Sequence, residues 1–301
     1  MVTAQARALA LGALLPLLVA AARDQAAESL QPVLGAPRVA VTAAGDTLLD
    51  IAERDRLGFA QVVNLNPEVD IWVPAAGTRV QLPTEYIVPN VPHEGLVINL
   101  PEMRLYDFTV DPERPTVLAV AIGDAVDPTP LGDFRIGGKR VDPDWNVPES
   151  IRAENPTLPA VVPPGPDNPL GDRWLTIGTT SYGIHGTNNV WSIGRNSTHG
   201  CVRLYNDDMR ALFDRTRTGT RVRLVYQPVK LGQRNGALYV EAHRDEYDLA
   251  PDAPSATLVQ LIVLEALGVV DTKSIDEERV RRVIREARGA PVPVGRLRTS
   301  E

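Results

Sequence analysis

The sequence predicts an α+β fold in three parts: a small strand–helix–helix–strand unit, a strand-dominated domain, and a mainly helical C-terminal tail. Three observations carry this. Residues 39–83 read as two short strands enclosing two short helices. Residues 93–226 hold short apolar runs of strand length, each bounded by turn residues. Beyond residue 255 two helices are expected, one over 255–268 and one opened by a capping box at Ser274. With 26 Pro, 23 Gly and few aromatics, short strands and many turns are favoured over long helices. A chain of 301 residues accommodates two or three such units, since one domain usually takes ~100–200 residues.

Taken in order, residues 1–22 have the layout of a cleaved secretory signal peptide. Arg7 supplies the positive charge, residues 8–22 are apolar or small apart from Pro16, and Ala20, Ala21 and Ala22 offer a small-residue cleavage site before Arg23-Asp24. That run falls short of the ~20 residues needed to span a bilayer, so export is expected and an anchor is not. Residues 23–38 read as a linker. In the unit at 39–83, Asp46 or Thr47 caps a helix whose Leu48, Ile51 and Ala52 share one face. A second helix carries Phe59, Val62 and Val63 and ends at Asn66-Pro67, and Pro83 terminates the closing strand at 79–82. Residues 84–92 read as another linker.

The domain at 93–226 has strand-like runs at 96–100, 103–106, 117–122, 134–136, 174–177 and 222–226, with turns at Gly137-Gly138 and in the proline-rich stretch 156–169. One helix is clear. Asn206 is expected to cap it, Asp207 and Asp208 suit its N-terminus, and Met209, Leu212 and Phe213 form its apolar stripe. The C-terminal extension, 227–301, begins with a strand at 237–242 and continues with a helix at 255–268 and another opened by a capping box from Ser274 to Glu277. No catalytic constellation stands out in it.

The net charge of −7 and the lack of a dense Lys/Arg run argue against nucleic acid as a partner. Cys201 is the only cysteine, so no intrachain disulfide can form. In an exported chain an odd thiol is reactive, forms an intermolecular link, or is an inert buried residue. Its surroundings favour reactivity: Tyr182-Gly-Ile-His185-Gly186-Thr187 is followed by Thr198-His199-Gly200-Cys201-Val-Arg203. A base that withdraws the thiol proton, a thiolate that attacks a carbonyl, and backbone N–H groups for the oxyanion suffice for acyl transfer. Zinc ligation by His185, His199 and Cys201 would lack the further Cys or carboxylate expected at short spacing.

Two resemblances sharpen this. The GDTL, NLNP and GTRVQLP segments of residues 39–83 resemble the LysM domain, which implies binding to N-acetylglucosamine-containing glycan, although Val39-Ala40-Val41 replaces the usual opening strand. SYGIHGTN followed by STHGCVRL resembles the signature of the YkuD-type L,D-transpeptidases, and TPLGDFRI and LPAVVPPGPDNPLG are similar to their ErfK-like periplasmic subgroup. The second resemblance implies a YkuD-like catalytic domain at 93–226, with Cys201 as nucleophile, His185 as general base and the Gly186 carbonyl orienting that histidine. It implies backbone N–H groups around His199, Gly200 and Cys201 as the oxyanion hole, Arg203 as holder of a stem-peptide carboxylate, and Tyr182 in the donor pocket. A salt bridge from Arg203 to Asp207 or Asp208 is the alternative for that residue. The implied reaction takes peptidoglycan tetrapeptide stems through a cysteine thioester to an amine of another stem or of an envelope protein, in the periplasm, with neither cofactor nor metal. Water as acceptor would give an L,D-carboxypeptidase, and an inert cysteine would leave a wall-binding scaffold.

Overall fold

The computed structural model describes residues 20–298; all but the last three residues of the expected signal peptide lie outside the described residues. Among the described residues no helix is long and apolar enough to cross a membrane. The small unit pairs strand Arg38–Val41 with strand Arg79–Leu82 in antiparallel register and encloses helices α1 (Leu48–Arg54) and α2 (Phe59–Leu65). Thr47 and Asp50 form a capping box at α1. Leu48, Ile51, Ala52, Val62, Val80 and Leu82 make its core. Asn66 closes α2 by donating to the Val62 and Gln81 carbonyls and accepting from the Gln81 N–H, all within 2.8 Å, which ties helix end to strand.

The central sheet has eight strands: β1 (Leu96–Asn99), β2 (Arg104–Asp107), β3 (Thr116–Ala119), β4 (Gly132–Val141), β5 (Arg173–Ile177), β6 (Gly183–His185), β7 (Val202–Arg203) and β8 (Arg221–Val225). Their spatial order is β7-β6-β5-β4-β8-β1-β2-β3. The β6–β7 and β8–β1 pairs are parallel and the others antiparallel. Side chains alternate across each strand. Leu96, Ile98, Leu105, Leu175, Ile177, Ile184, Val202, Val222 and Leu224 therefore face one core, shared with Met209, Leu212 and Phe213 of a helix at Asn206–Arg215. A short helix at Glu149–Glu154 and a strand pair, Trp145–Asn146 with Val161–Val162, arise within the proline-rich connection between β4 and β5.

Both segments read as linkers contain strands. Gln31–Gly35 and Glu85–Ile87 pair antiparallel and join Val229–Arg234, Ala237–Ala242 and Val292–Arg296 in a five-stranded sheet. The small unit is thus inserted between two paired strands of a sheet completed about 200 residues further on, a separation that local pattern cannot report. At the insertion point Gly35 has φ +79°, and a Cβ there would lie 2.0 Å from the Thr84 carbonyl oxygen. The C-terminal extension contains the two expected helices, Ala253–Ala266 and Glu277–Glu286, together with those three strands. The second helix is capped by Asp276, whose side chain accepts from the Arg279 N–H, in place of the expected Ser274 capping box. Asn235-Gly236, both at positive φ, turns the hairpin between the first two strands.

Where this sheet meets β1 and β2, six side chains form a buried polar cluster: Glu102, Arg104, Tyr106, Lys230, Glu241 and His243. Lys230 lies 2.8 Å from Glu102 and 3.3 Å from Glu241. Arg104 lies 3.2 Å and 3.1 Å from the same two carboxylates. Tyr106 donates to Glu102 at 2.7 Å, and His243 Nε2 sits 2.7 Å from Glu241.

Candidate active site

The same alternation that buries Ile184 and Val202 sends His185, Cys201 and Arg203 to the opposite side, where they line one cavity of about 230 Å³. Parallel pairing of β6 with β7 sets His185 across from Arg203. His185 ends β6, antiparallel to Trp174 on β5, and its ring stacks on that indole with centroids 5.4 Å apart and planes 18° from parallel. His185 Nδ1 is 2.7 Å from the Gly186 carbonyl oxygen. A carbonyl only accepts, so Nδ1 carries the proton and Nε2 keeps its lone pair.

That carbonyl is itself held. Asn206 accepts from the Thr187 N–H and donates to the Thr187 carbonyl, each at 2.8 Å. A Cβ on Gly186 would come within 2.2 Å of Asn206 Oδ1, so a side chain there would displace the Asn206 amide that holds this loop. Asn206 is therefore not the cap of its helix: Tyr205 occupies the N-cap without a side-chain bond, and Asn206 is the first helical residue. This support was missed because a polar residue at a helix start reads locally as a cap.

Cys201 is partly exposed, and its carbonyl accepts from the Thr198 hydroxyl at 2.6 Å. Gly200 before it has φ +88°, and a Cβ there would strike the Tyr182 ring at 2.3 Å. Tyr182 thus packs on the turn that presents the thiol while also lining the cavity. Burial pushes the Cys201 thiol up, with the Gly183 N–H and Arg203 pulling the other way. Burial lowers the His185 imidazole, the Arg203 charge adds to this, and together they leave its pKa at about 3 despite the backbone contacts with Gly186 and Leu170. Both groups rest neutral at pH 7, as a thiol beside a free base.

The buried Arg203 Nε has no hydrogen-bond partner among the described residues. Asp207 and Asp208 are bound instead by Arg56, at 2.7 Å and 2.9 Å, which removes the salt-bridge alternative for Arg203. His199 stands at the cavity rim with Nε2 3.3 Å from Glu154. His185, His199 and Cys201 do not bring their ligand atoms together as a metal cluster would among the described residues. Trp145, Pro148 and Ile151 from the connection between β4 and β5 form the facing wall. Asn168 anchors that connection, donating to the Pro143 carbonyl and accepting from the Leu170 N–H, each at 2.9 Å.

The YkuD family model, the L,D-transpeptidase catalytic domain, matches residues 93–224. The chain is 35% identical over 254 residues to "Probable L,D-transpeptidase ErfK/SrfK" of Salmonella typhimurium, covering 82% of each chain. It is 34% identical over 244 residues to "Probable L,D-transpeptidase YbiS" of Escherichia coli (strain K12), covering 79% of each. With "Probable L,D-transpeptidase YcfS" of the same strain it shares 34% identity over 268 residues, 85% of this chain and 82% of the relative. The chain belongs to the L,D-transpeptidase family. An L,D-transpeptidase is an acyltransferase, exchanging one amide for another. The matched region contains the whole eight-stranded sheet except the last residue of β8.

Proposed function

We propose that this L,D-transpeptidase acts through Cys201 on tetrapeptide stems of peptidoglycan, with His185 as general base. His185 Nε2 takes the thiol proton as Sγ attacks the carbonyl of meso-diaminopimelate. Backbone N–H groups around His199, Gly200 and Cys201 receive the oxyanion. Collapse breaks the amide to terminal D-Ala, whose amine leaves with the proton from the imidazolium, and a thioester remains. An acceptor amine then attacks the thioester, His185 takes its proton, and the departing Cys201 sulfur recovers a proton as the new amide forms. The acceptor is an amine of a neighbouring stem, giving a crosslink, or of an envelope protein, tethering it to the wall. Arg203, which lines the cavity and whose buried Nε has no partner among the described residues, holds a carboxylate of the stem, and Tyr182 borders the donor pocket.

Around this catalytic part we propose a cleaved signal peptide at 1–22, export to the periplasm, and a LysM-like glycan-binding unit at 39–83. The unit's order of strand, two helices and strand supports the last assignment. The single observation that carries the proposed chemistry is the 2.7 Å contact between His185 Nδ1 and the Gly186 carbonyl, which leaves a lone pair in the cavity that holds the only thiol. The family resemblance also implies that a carbapenem acylates the nucleophile as a thioester, so intact-mass measurement after exposure to one tests it. The parent enzyme gains one acyl adduct and Cys201→Ala gains none; an adduct retained by the Ala variant would falsify the nucleophile assignment.

A further inference from the structure

The connection from His185 to Cys201 is gripped midway by the N-terminal unit. The Phe59 N–H, at the start of α2, donates to the Ile193 carbonyl at 3.1 Å, and the Ala60 N–H donates to the Gly194 carbonyl at 3.2 Å. Two otherwise orphaned donors of a helix start are thereby satisfied by the connection. Gly194 has φ +79°, and a Cβ on it would lie 2.4 Å from the Gly58 Cα, so the two backbones meet without room for a side chain. The Arg195 guanidinium covers the Phe59 ring at 4.0 Å. Around these contacts Tyr205 donates to the Leu57 carbonyl at 2.9 Å, and Arg56 reaches both Asp207 and Asp208.

From the gripped residues a continuous ladder leads to the thiol. The Gly194 N–H donates to the Val120 carbonyl at 3.0 Å, and the Ile122 N–H donates to the Arg195 carbonyl at 3.1 Å. Asn196–Thr198 then pairs in parallel with Ile122–Gly123, and the Thr198 hydroxyl donates to the Cys201 carbonyl. Residues 193–195 are therefore sandwiched between α2 on one side and residues 120–122 on the other. Ile193 is 1% exposed and packs with Tyr205 at the same seam.

We propose that the N-terminal unit is a positioning part of the catalytic machinery: α2 fixes the path of the 186–200 connection and so the placement of Cys201 relative to His185. This rests on the reading of Cys201 as nucleophile and is independent of whether the unit binds glycan. An error of about 1 Å in placing reacting groups can cost on the order of 10²-fold in rate, so release of α2 should slow acylation without preventing it.

Two full-length variants test the inference. Gly194→Ala wedges a Cβ between the facing backbones. Arg56→Glu/Tyr205→Phe, at the edge of the seam, sets an acid against Asp207 and Asp208 and removes the Leu57 contact without altering the connection; it serves where Gly194→Ala fails to fold. Hydrogen exchange at the Phe59 and Ala60 amides reads docking. The first-order rate constant of Cys201 acylation at saturating carbapenem reads placement, and the fraction of enzyme labelled reads folding. A released variant should label completely with a rate constant about 10- to 100-fold lower. Release with an unchanged rate constant, or a smaller labelled fraction at the parent rate constant, would overturn the proposal. Retained protection in both variants would overturn it equally, because the contacts named would not be what holds the parts together. An adduct that persists in Cys201→Ala separates a failure of the nucleophile reading from a failure of this one.

Discussion

Two histidines of this enzyme stand in polar clusters, and the clusters are opposites. His243 lies with Glu102, Glu241, Arg104, Lys230 and Tyr106, where both carboxylates are bound by cations and every member has a partner. Burial alone would raise the Glu241 carboxyl, but Lys230, His243 and Arg104 outweigh it and hold it well below the usual range. His185 lies with Cys201 and Arg203, bonds a backbone carbonyl and, among the described residues, no carboxylate, although Asp144 lines the same cavity, and it shares that cavity with an arginine whose Nε is unpaired. By composition the first cluster looks more like a catalytic or metal centre: Glu102, Glu241 and His243 bring ligand atoms within 4.8 Å of one another. Yet its hydrogen-bonding capacity is consumed internally, joining the C-terminal sheet to β1 and β2. Chemistry needs groups with capacity left over, and the cavity has them.

The largest effect that sharpens this contrast is on rate. His185→Ala should lower the acylation rate constant by ~10²–10⁴-fold, the usual contribution of a positioned base. His199→Ala should cost far less, because that ring sits at the rim facing Glu154. Single-turnover acylation of both folded variants decides the roles, and a larger loss in His199→Ala would reverse them.

The matching effect in the other cluster is on stability. Glu241→Ala leaves Lys230 and Arg104 buried with one carboxylate between them. Breaking a buried pair in this way typically costs about 3–5 kcal/mol. Denaturant unfolding should show that loss, while the rate constant per folded enzyme stays at the parent value. A variant of normal stability with slowed acylation would remove the distinction between the clusters.

Next comes pH. The unfolded chain protonates a histidine near 6.5, whereas His185 in the fold stays neutral down to about 3. The unfolded state therefore binds one more proton between those values. The stability linked to His185 is fully present above 6.5 and is lost as pH falls towards 3. His185→Gln should flatten that part of the melting-temperature profile. For the same reason the acid limb of acylation should lie well below 6.5; a limb at 6.5 would mean an imidazole solvated as in a free peptide.

The elements of the N-terminal unit, six of the eight strands of the central sheet and the Tyr182–Arg203 segment were legible because each is declared locally, whereas Gly137-Gly138, expected as a turn, lies inside β4, and β6 and β7 are too short to stand out. Capping residues, short apolar runs bounded by turn residues, and glycines beside a lone thiol all act over a few positions. What escaped was set by distant partners. Gln31–Gly35 becomes a strand only when Val229–Arg234 and Glu85–Ile87 flank it. Glu102 meets Lys230 across 128 residues. Asn206 signals a cap until the loop at Thr187 claims its side chain. The Asn235-Gly236 turn is the exception: that dipeptide is a strong hairpin signal and was open to sequence reading.

The smallest effect concerns Arg203, where charge and shape can be separated. Arg203 lies opposite His185 in the β6–β7 register, its charge lowers the histidine pKa, and its buried Nε has no partner among the described residues. Asp207 and Asp208 are occupied by Arg56, so no carboxylate of the helix at Asn206–Arg215 competes for it at that end. Arg203→Lys keeps the positive charge but loses the planar fork that grips a carboxylate bidentately. Hydrogen bonds to charged groups contribute ~1.5–3 kcal/mol, so kcat/KM on a tetrapeptide stem should fall about ten-fold or somewhat more. Arg203→Gln loses the charge as well, which should add an upward move of the acid limb as His185 is relieved of its cationic neighbour. The expected pattern is therefore a fall in kcat/KM for both variants and a shifted pH profile for Gln alone. If Arg203→Lys turns over the stem at the parent rate, Arg203 does not hold substrate; its part is then confined to keeping His185 neutral.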